Sequence, residues 1–79
     1  MTNLEKYNKA FCDSLDIGEE KLPGLEYEGV ASWDSVGHMR LIAAFEEAFD
    51  IMMDTDDIIA LSSYEKGKEI LSANYEVEF

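Results

Sequence analysis

The sequence predicts an all-α protein, a small four-helix bundle with three longer helices, one short helix and a long loop between helices 1 and 2. Apolar residues recur at helical spacing in separate segments, and Ser, Thr and Asp residues suited to capping precede them. No stretch shows the alternation of apolar and polar residues that is typical of a β-strand. A chain of 79 residues has room for one domain, so we expect residues 1–79 to form a single domain.

Helix 1 is predicted from about residue 2 to residue 16. Thr2 and Glu5 have the spacing of a capping box, in which each side chain binds the other residue's backbone N–H. Gly18 is the expected stop, because glycine readily adopts the left-handed conformation that ends a helix. The predicted core stripe has the spacing i, i+3, i+7, i+11 and consists of Leu4, Tyr7, Phe11 and Leu15.

Helical periodicity is lost over residues 19–33, which predicts a long loop. This segment contains Pro23, Gly24 and Gly29. Ordered loops of this length are often functional. Its scattered apolar residues are expected to pin the loop across the helices, and they are Leu22, Leu25, Tyr27 and Val30.

Helix 2 is predicted to begin at residues 34–35 and to end near residue 50. Its core stripe consists of Leu41, Phe45 and Phe49, at i, i+4 and i+8. A second apolar line lies about 100° away around the helix and is either further core or a surface for a partner. The residues of this line are Val36, Met39 and Ala43.

A short helix 3 is predicted over residues 56–61, and helix 4 from residue 62 or 63 onward. Asp54 or Thr55 is the expected cap of helix 3, while Ser62 has capping-box spacing with Glu65. Gly67 lies inside helix 4, where glycine costs about 1 kcal/mol relative to alanine. We therefore expect this glycine to permit a close approach to another element.

The charge of the chain excludes several classes of partner. It has 18 Asp and Glu residues against 6 Lys and Arg residues, a formal net charge of −12. Nucleic-acid phosphates require clustered Lys and Arg, and anionic membranes repel such a chain. A partner with a basic docking surface is favoured instead. Because 47% of the residues are hydrophobic, we expect a folded domain and not a disordered acidic tail.

Cys12 is the only cysteine, so neither an intrachain disulfide nor a cysteine-rich metal site can form, and we expect it to be a packing residue. No apolar stretch approaches the roughly 18 residues of a membrane-spanning helix, and the first residues lack the features of a signal peptide. These observations predict a cytoplasmic protein, which we expect to be a monomer.

The segment from Trp33 to Met39 holds the candidate site. Asp34 is a suitable N-cap, because its carboxylate can accept hydrogen bonds from the first turn of a helix. Ser35 then occupies the first helical position, where the helix dipole favours a phosphate ester by roughly 0.3 to 1 kcal/mol. Trp33 and His38 occupy the two hydrophobic-staple positions, where a stacking contact between their rings could replace the usual apolar pair.

In these residues the chain resembles the acyl carrier and peptidyl carrier proteins. The family's Asp-Ser-Leu-type motif, which opens its second helix, reads Asp34-Ser35-Val36 here. The run LIAAFEEAFD at residues 41–50 is similar to the family's second helix, which ends in a Glu-Glu-x-Phe pattern. The resemblance extends over residues 4–71 and includes the long first loop and the acidic surface.

The resemblance implies a carrier and not an enzyme. Ser35 would hold a covalent 4′-phosphopantetheine arm transferred from coenzyme A by a phosphopantetheinyl transferase, and Asp34, Trp33 and His38 would support this attachment site. The terminal thiol of the arm would carry an acyl or aminoacyl group as a thioester. A loading ligase would supply that group, and downstream acyl-transfer enzymes would receive it.

Docking residues for these partners are expected on helix 2. Its apolar line would make the short-range contact. The acidic residues Asp34, Glu46 and Glu47 would face basic groups of the transferase. Arg40 reverses the charge on this helix relative to the family's fatty-acid-synthesis members, and Gly37 and His38 also depart from their pattern. In this the sequence is similar to stand-alone carriers of specialised pathways, including cell-surface sugar and aminoacyl-transfer systems.

Two other chemistries fit the residues less well. An EF-hand loop needs alternating oxygen ligands and a glycine at its sixth position, but counting from Asp54 the fifth and sixth residues are Ile58 and Ile59. A catalytic pair of Ser35 and His38 would lack an acid to orient the imidazole. We therefore expect neither a metal site nor a catalytic residue. An unmodified acidic adaptor that uses the same apolar line remains the alternative function.

Overall fold

The computed structural model describes residues 1–79 and contains four α-helices and no strand. The helices are α1 (Asn3–Leu15), α2 (Ser35–Phe49), α3 (Thr55–Ala60) and α4 (Tyr64–Tyr75). The predicted all-α bundle, with one short helix and a long first loop, is confirmed. A 3₁₀ turn over Glu19–Lys21 was not predicted from the sequence and lies in that loop.

The start and the end of α1 were predicted correctly, but the left-handed residue at its end is not the glycine that was predicted. Thr2 Oγ1 accepts a hydrogen bond from Glu5 N at 3.1 Å, and Glu5 Oε1 accepts one from Thr2 N at 2.9 Å, which completes the capping box. The left-handed residue at the other end is Asp16, with φ 54°. Gly18 has φ −87°. Aspartate tolerates the left-handed region better than most residues, so the helix ends two residues before the glycine.

The core is built around aromatic rings from α1, α2 and the loop. Tyr7 stacks on Phe45 at 5.0 Å between centroids, and the edge of Phe11 meets Tyr7 at 5.1 Å. Trp33, which is fully buried, packs edge to face with Phe11 at 5.3 Å. The stripe predicted for α1 is therefore correct from Tyr7 onward, whereas Leu4 is 40% exposed.

The close approach predicted at Gly67 is observed, and its partner is Tyr7. A Cβ added at Gly67 would collide with the Tyr7 hydroxyl. This hydroxyl donates to the carbonyl oxygen of Tyr64 at 2.6 Å, so it joins α1 to the first turn of α4. Burial raises the pKa of the Tyr7 phenol far above its usual value.

Backbone hydrogen bonds tie the long loop to the link between α3 and α4. Tyr27 N donates to the carbonyl oxygen of Ser62 at 2.8 Å, and Tyr64 N donates to that of Leu25 at 2.8 Å. Of the apolar loop residues, Leu22 and Leu25 are buried, Val30 is half-buried and Tyr27 is exposed. The loop is thereby held across the bundle, as predicted, and delivers Trp33 to the start of α2.

Polar contacts with α4 help to hold the short helix α3 in place. None of its six residues is buried, and Asp54, its N-cap residue, makes no side-chain capping bond. The Tyr75 hydroxyl instead accepts from Asp54 N and donates to Asp57 Oδ2, both at 2.7 Å.

The cap of α4 is Ser63, whose Oγ accepts from Lys66 N at 2.9 Å. The predicted capping box of Ser62 and Glu65 is not formed, because the helix begins one residue later than that pattern requires. None of the four helices combines the length and apolar character that crossing a bilayer requires.

Candidate functional site

The first turn of α2 is fixed by Asp34, as predicted. Asp34 Oδ1 accepts from Gly37 N at 2.9 Å, and the carbonyl oxygen of Asp34 accepts from His38 N at 2.8 Å. These two bonds leave the N–H groups of Ser35 and Val36 without a partner in the fold. The helix therefore presents two free donors and its partial positive charge at the position of Ser35.

Gly37 is a structural requirement of this turn that the sequence analysis missed. The residue is buried, and a Cβ at this position would collide with the carbonyl oxygen of Ser32. The loop can thus cross directly over the first turn of α2 only because residue 37 lacks a side chain. The sequence did hold a sign of this need: Gly37 lies in the first turn of a predicted helix, although glycine has a poor helix propensity.

Ser35 lies at the surface, as the sequence predicted for a modifiable residue. It is exposed, and its hydroxyl makes no hydrogen bond within the protein. The neighbouring Val36 and Met39 are 60% and 54% exposed. A free hydroxyl thus stands beside apolar side chains that have no partner in this chain.

His38 joins three parts of the molecule, and we call its contacts with Trp33 and Ile58 the His38 clamp. Trp33 Nε1 donates to His38 Nδ1 at 3.0 Å, and the two rings are nearly coplanar, with 14° between their planes. His38 Nε2 lies 2.7 Å from the carbonyl oxygen of Ile58. Because this carbonyl can only accept, Nε2 must carry a proton, whereas Nδ1 must lack one in order to accept from Trp33 Nε1.

The clamp confirms the predicted contact between the Trp33 and His38 rings, and it bears on the Ser35–His38 pair. Both ring nitrogens of His38 are occupied, one by an indole N–H and the other by a carbonyl. No hydrogen bond joins Ser35 to His38. In this arrangement the imidazole has no free lone pair with which to take a proton from the serine hydroxyl.

A groove of about 360 Å³ lies beside Ser35, between α2 and α3. Most of its lining is apolar, and α3 contributes Ile58 and the 75% exposed Ile59. The eight lining residues are Tyr27, Ser35, His38, Met39, Ile58, Ile59, Leu61 and Ser62. The sequence analysis did not connect Tyr27, Ile58 and Ile59 with Ser35, because only the folded chain brings the loop and α3 to this place.

The residues predicted for docking occupy one face of α2, with one difference. This exposed face consists of Val36, Met39, Arg40, Ala43 and Glu47. Glu46 is half-buried, and its Oε2 accepts from Met53 N at 3.0 Å. The Glu46 carboxylate thus holds the segment between α2 and α3 and is engaged inside the fold.

Arg40 stands apart from the other charges of the molecule. Each of the three ion pairs joins two exposed or half-exposed side chains within a single helix. These pairs are Lys9–Asp13 on α1, and Lys66–Glu69 and Lys68–Glu65 on α4. Residues three and four positions from Arg40 on α2 are Val36, Gly37, Ala43 and Ala44, so no acid lies within reach along the helix. The Arg40 guanidinium takes part in no ion pair.

Elsewhere, the structure brings together no group of three His, Cys, Asp or Glu side chains that could hold a metal ion. Comparison with known proteins found no matching family model, no significantly similar characterised protein and no significantly similar solved structure. Inferences about function therefore depend on the site residues and on the resemblance of their sequence to the carrier family.

Proposed function

We propose that this protein is a carrier that holds acyl or aminoacyl groups as thioesters on a 4′-phosphopantetheine arm attached to Ser35. The observation that carries the proposal is the exposed, unbonded hydroxyl of Ser35 at the first position of a helix capped by Asp34. An Asp-Ser pair with this placement is what the resemblance to carrier proteins requires.

The attachment reaction uses Ser35 as the nucleophile. Its Oγ attacks the phosphorus of coenzyme A that bears the pantetheine, and the new P–O bond forms as the bond to the second phosphate breaks. The leaving group is 3′,5′-ADP, and the serine proton passes to a base of the transferase. When attached, the arm supplies the thiol that forms the thioester.

The residues around Ser35 fit a phosphodiester at this position. The N–H groups of Ser35 and Val36 are free, and a helix N-terminus favours an anion by roughly 0.3 to 1 kcal/mol at an exposed site. The nearest carboxylate along the chain, that of Asp34, is turned to Gly37 N at 2.9 Å. The adjacent groove offers an apolar surface along which the arm can lie.

We further propose that the exposed face of α2 is the docking surface for the transferase and the acyl-transfer partners. Val36, Met39 and Ala43 supply the apolar contact, while Asp34 and Glu47 attract basic groups of a partner. The partner must also offer a hydrogen-bond acceptor to the guanidinium of Arg40, because burying an unpaired arginine in an interface costs binding free energy.

Intact mass measurement tests the carrier function. The protein is incubated with coenzyme A and a promiscuous phosphopantetheinyl transferase, and we expect a gain of one phosphopantetheine group. Ser35→Ala should show no gain, whereas Ser72→Ala, which changes an exposed serine on α4, should be modified like the original protein. An unmodified original protein, or a modified Ser35→Ala variant, would refute the proposal.

An unmodified adaptor is the second candidate, because the exposed apolar face of α2 would also suit a binding partner that uses no arm. The same experiment separates the two functions. Only the carrier requires Ser35 to react, so a folded protein that gains no mass under these conditions would be assigned to the adaptor class.

A further inference from the structure

We propose that neutral His38 shapes the groove beside Ser35, and that protonation of His38 at Nδ1 opens the clamp and loosens the groove wall. The proposal concerns regulation of the site at Ser35 and rests on the proposed function for its biological meaning. The clamp itself stands on the contacts of Trp33, His38 and Ile58.

The hydrogen bond from Trp33 can exist only while His38 is neutral. Trp33 Nε1 is a donor and can never accept, and it faces Nδ1 at 3.0 Å. A proton on Nδ1 would place two N–H donors opposite each other. Trp33 is fully buried, so water cannot easily replace the lost acceptor. The two rings must then separate, or the indole must turn.

A movement of His38 reaches α3 through its second nitrogen. His38 Nε2 is bound to the carbonyl oxygen of Ile58 at 2.7 Å. The helix α3 has only six residues and none is fully buried; Ile58 is the one that packs, half-buried, against the core. If the ring leaves Trp33, either the Ile58 bond breaks or α3 moves with the ring, and both alter the groove that Ile58 and Ile59 line.

Few other charged groups face His38. In the loop, the centroid of the Tyr27 ring lies 5.7 Å from that of the imidazole, and the two rings are nearly perpendicular. On α2, the Asp34 carboxylate is bound to Gly37 N. On α3, Asp57 adjoins Ile58, but its carboxylate is bound by Tyr75 and Asn74. His38 takes part in no ion pair that could hold it in the charged form.

The protein contains one tryptophan and one histidine, so NMR can follow both sides of the clamp without ambiguity. The indole ¹H–¹⁵N signal of Trp33 and the ring signals of His38 are recorded from about pH 8 to about pH 5, where histidine ordinarily titrates. We expect the Trp33 signal and the Ile59 amide signal to shift together with the His38 ring. A Trp33 indole signal that stays constant while His38 becomes protonated would overturn the proposal.

Two variants distinguish the clamp from a general effect of acid. Glutamine at residue 38 offers one acceptor and one donor and does not titrate, so His38→Gln should keep the fold and lose the pH-dependent shift of Trp33. Asp34→Asn retains the cap and should keep that shift. If the Trp33 indole signal of His38→Gln shifted with pH as it does in the original protein, the proposal would be refuted. These readouts need no arm, so a failure of Ser35 modification would remove the proposed function without changing them.

Discussion

At the scale of single residues, the contact between Tyr7 and Gly67 ties α1 closely to α4. The Tyr7 hydroxyl is held by the carbonyl oxygen of Tyr64 at 2.6 Å and leaves no room for a Cβ at residue 67. Gly67→Ala gains about 1 kcal/mol of helix propensity. It also introduces overpacking that costs about 1 to 3 kcal/mol, and displacing the buried hydrogen bond costs about 1 to 3 kcal/mol more. We expect a net loss of about 2 kcal/mol in the free energy of unfolding, measured by urea denaturation.

A double-mutant cycle tests whether the Tyr7 hydroxyl is the cause. Tyr7→Phe removes the oxygen atom that the new Cβ would meet and leaves the ring carbons at a tight but tolerable distance of 3.2 Å. Gly67→Ala should therefore cost less in the Tyr7→Phe background than in the original protein. Equal costs in the two backgrounds would show that the collision lies elsewhere.

Cys12 provides a residue-scale prediction about thiol reactivity. Burial, and then the negative charges of Glu19, Asp13 and Glu20, raise the pKa of the Cys12 thiol. A raised pKa reduces the fraction of reactive thiolate at pH about 8. We expect iodoacetamide to modify folded Cys12 several-fold more slowly than it modifies the same cysteine in the urea-unfolded chain. Equal rates in the folded and unfolded protein would contradict the burial argument.

The contacts around Ser35 that could be predicted from the sequence are local ones. Asp34 caps the helix that follows it, and the Trp33–His38 contact spans five residues, so spacing alone indicated both. The bond from His38 to Ile58 spans 20 residues. No periodicity encodes it, because it depends on where the link after α2 directs α3.

At the scale of elements, α3 is held by hydrogen bonds from α4 and α2 and by the packing of Ile58 against the core. Tyr75 on α4 binds Asp54 N and Asp57, while His38 binds Ile58. A six-residue helix has no stability of its own in water. Tyr75→Phe removes two hydrogen bonds, so we expect a loss of about 1 to 2 kcal/mol, concentrated in α3. Amide hydrogen exchange of Ile58 and Ile59 should accelerate more than exchange in α1.

Asn74→Ala is the matched control for this helix. Asn74 Nδ2 donates to Asp57 Oδ1 at 3.0 Å, so its removal takes away one exposed bond and leaves the Tyr75 contacts in place. Exchange in α3 should change less than in Tyr75→Phe. Uniform acceleration across all four helices in Tyr75→Phe would instead mean that α3 unfolds only with the whole protein.

The helices themselves were largely predictable, and their junctions were not. Periodicity placed α1, α2 and α4 within a few residues of their ends, because each buries one continuous stripe. The left-handed conformation of Asp16 at the end of α1 and the cap at Ser63 depend on how the chain leaves or enters the bundle. The loop was predicted by its lack of pattern, but its bonds to Ser62 and Tyr64 join parts of the chain that are distant in sequence.

At the scale of the whole molecule, the net charge of −12 opposes folding. Only three ion pairs, each within a single helix, offset the excess of acids. The Debye length falls from about 30 Å at 0.01 M salt to about 3 Å at 1 M, whereas the molecule measures 29 × 27 × 20 Å. Low salt thus leaves repulsion acting across the entire protein. We expect added NaCl to raise the free energy of unfolding by on the order of 1 kcal/mol, measured by urea denaturation.

The same salt should act in the opposite direction on modification of Ser35, if the transferase approaches through a basic surface. Screening weakens the attraction that brings two oppositely charged proteins together, so kcat/KM should fall as NaCl rises even while the protein becomes more stable. Glu47→Gln and Glu69→Gln each remove one negative charge, but only Glu47 lies on the exposed face of α2. A weaker salt dependence in Glu47→Gln alone would place the encounter on that face. Equal effects of the two substitutions would mean that net charge, and not this face, governs association.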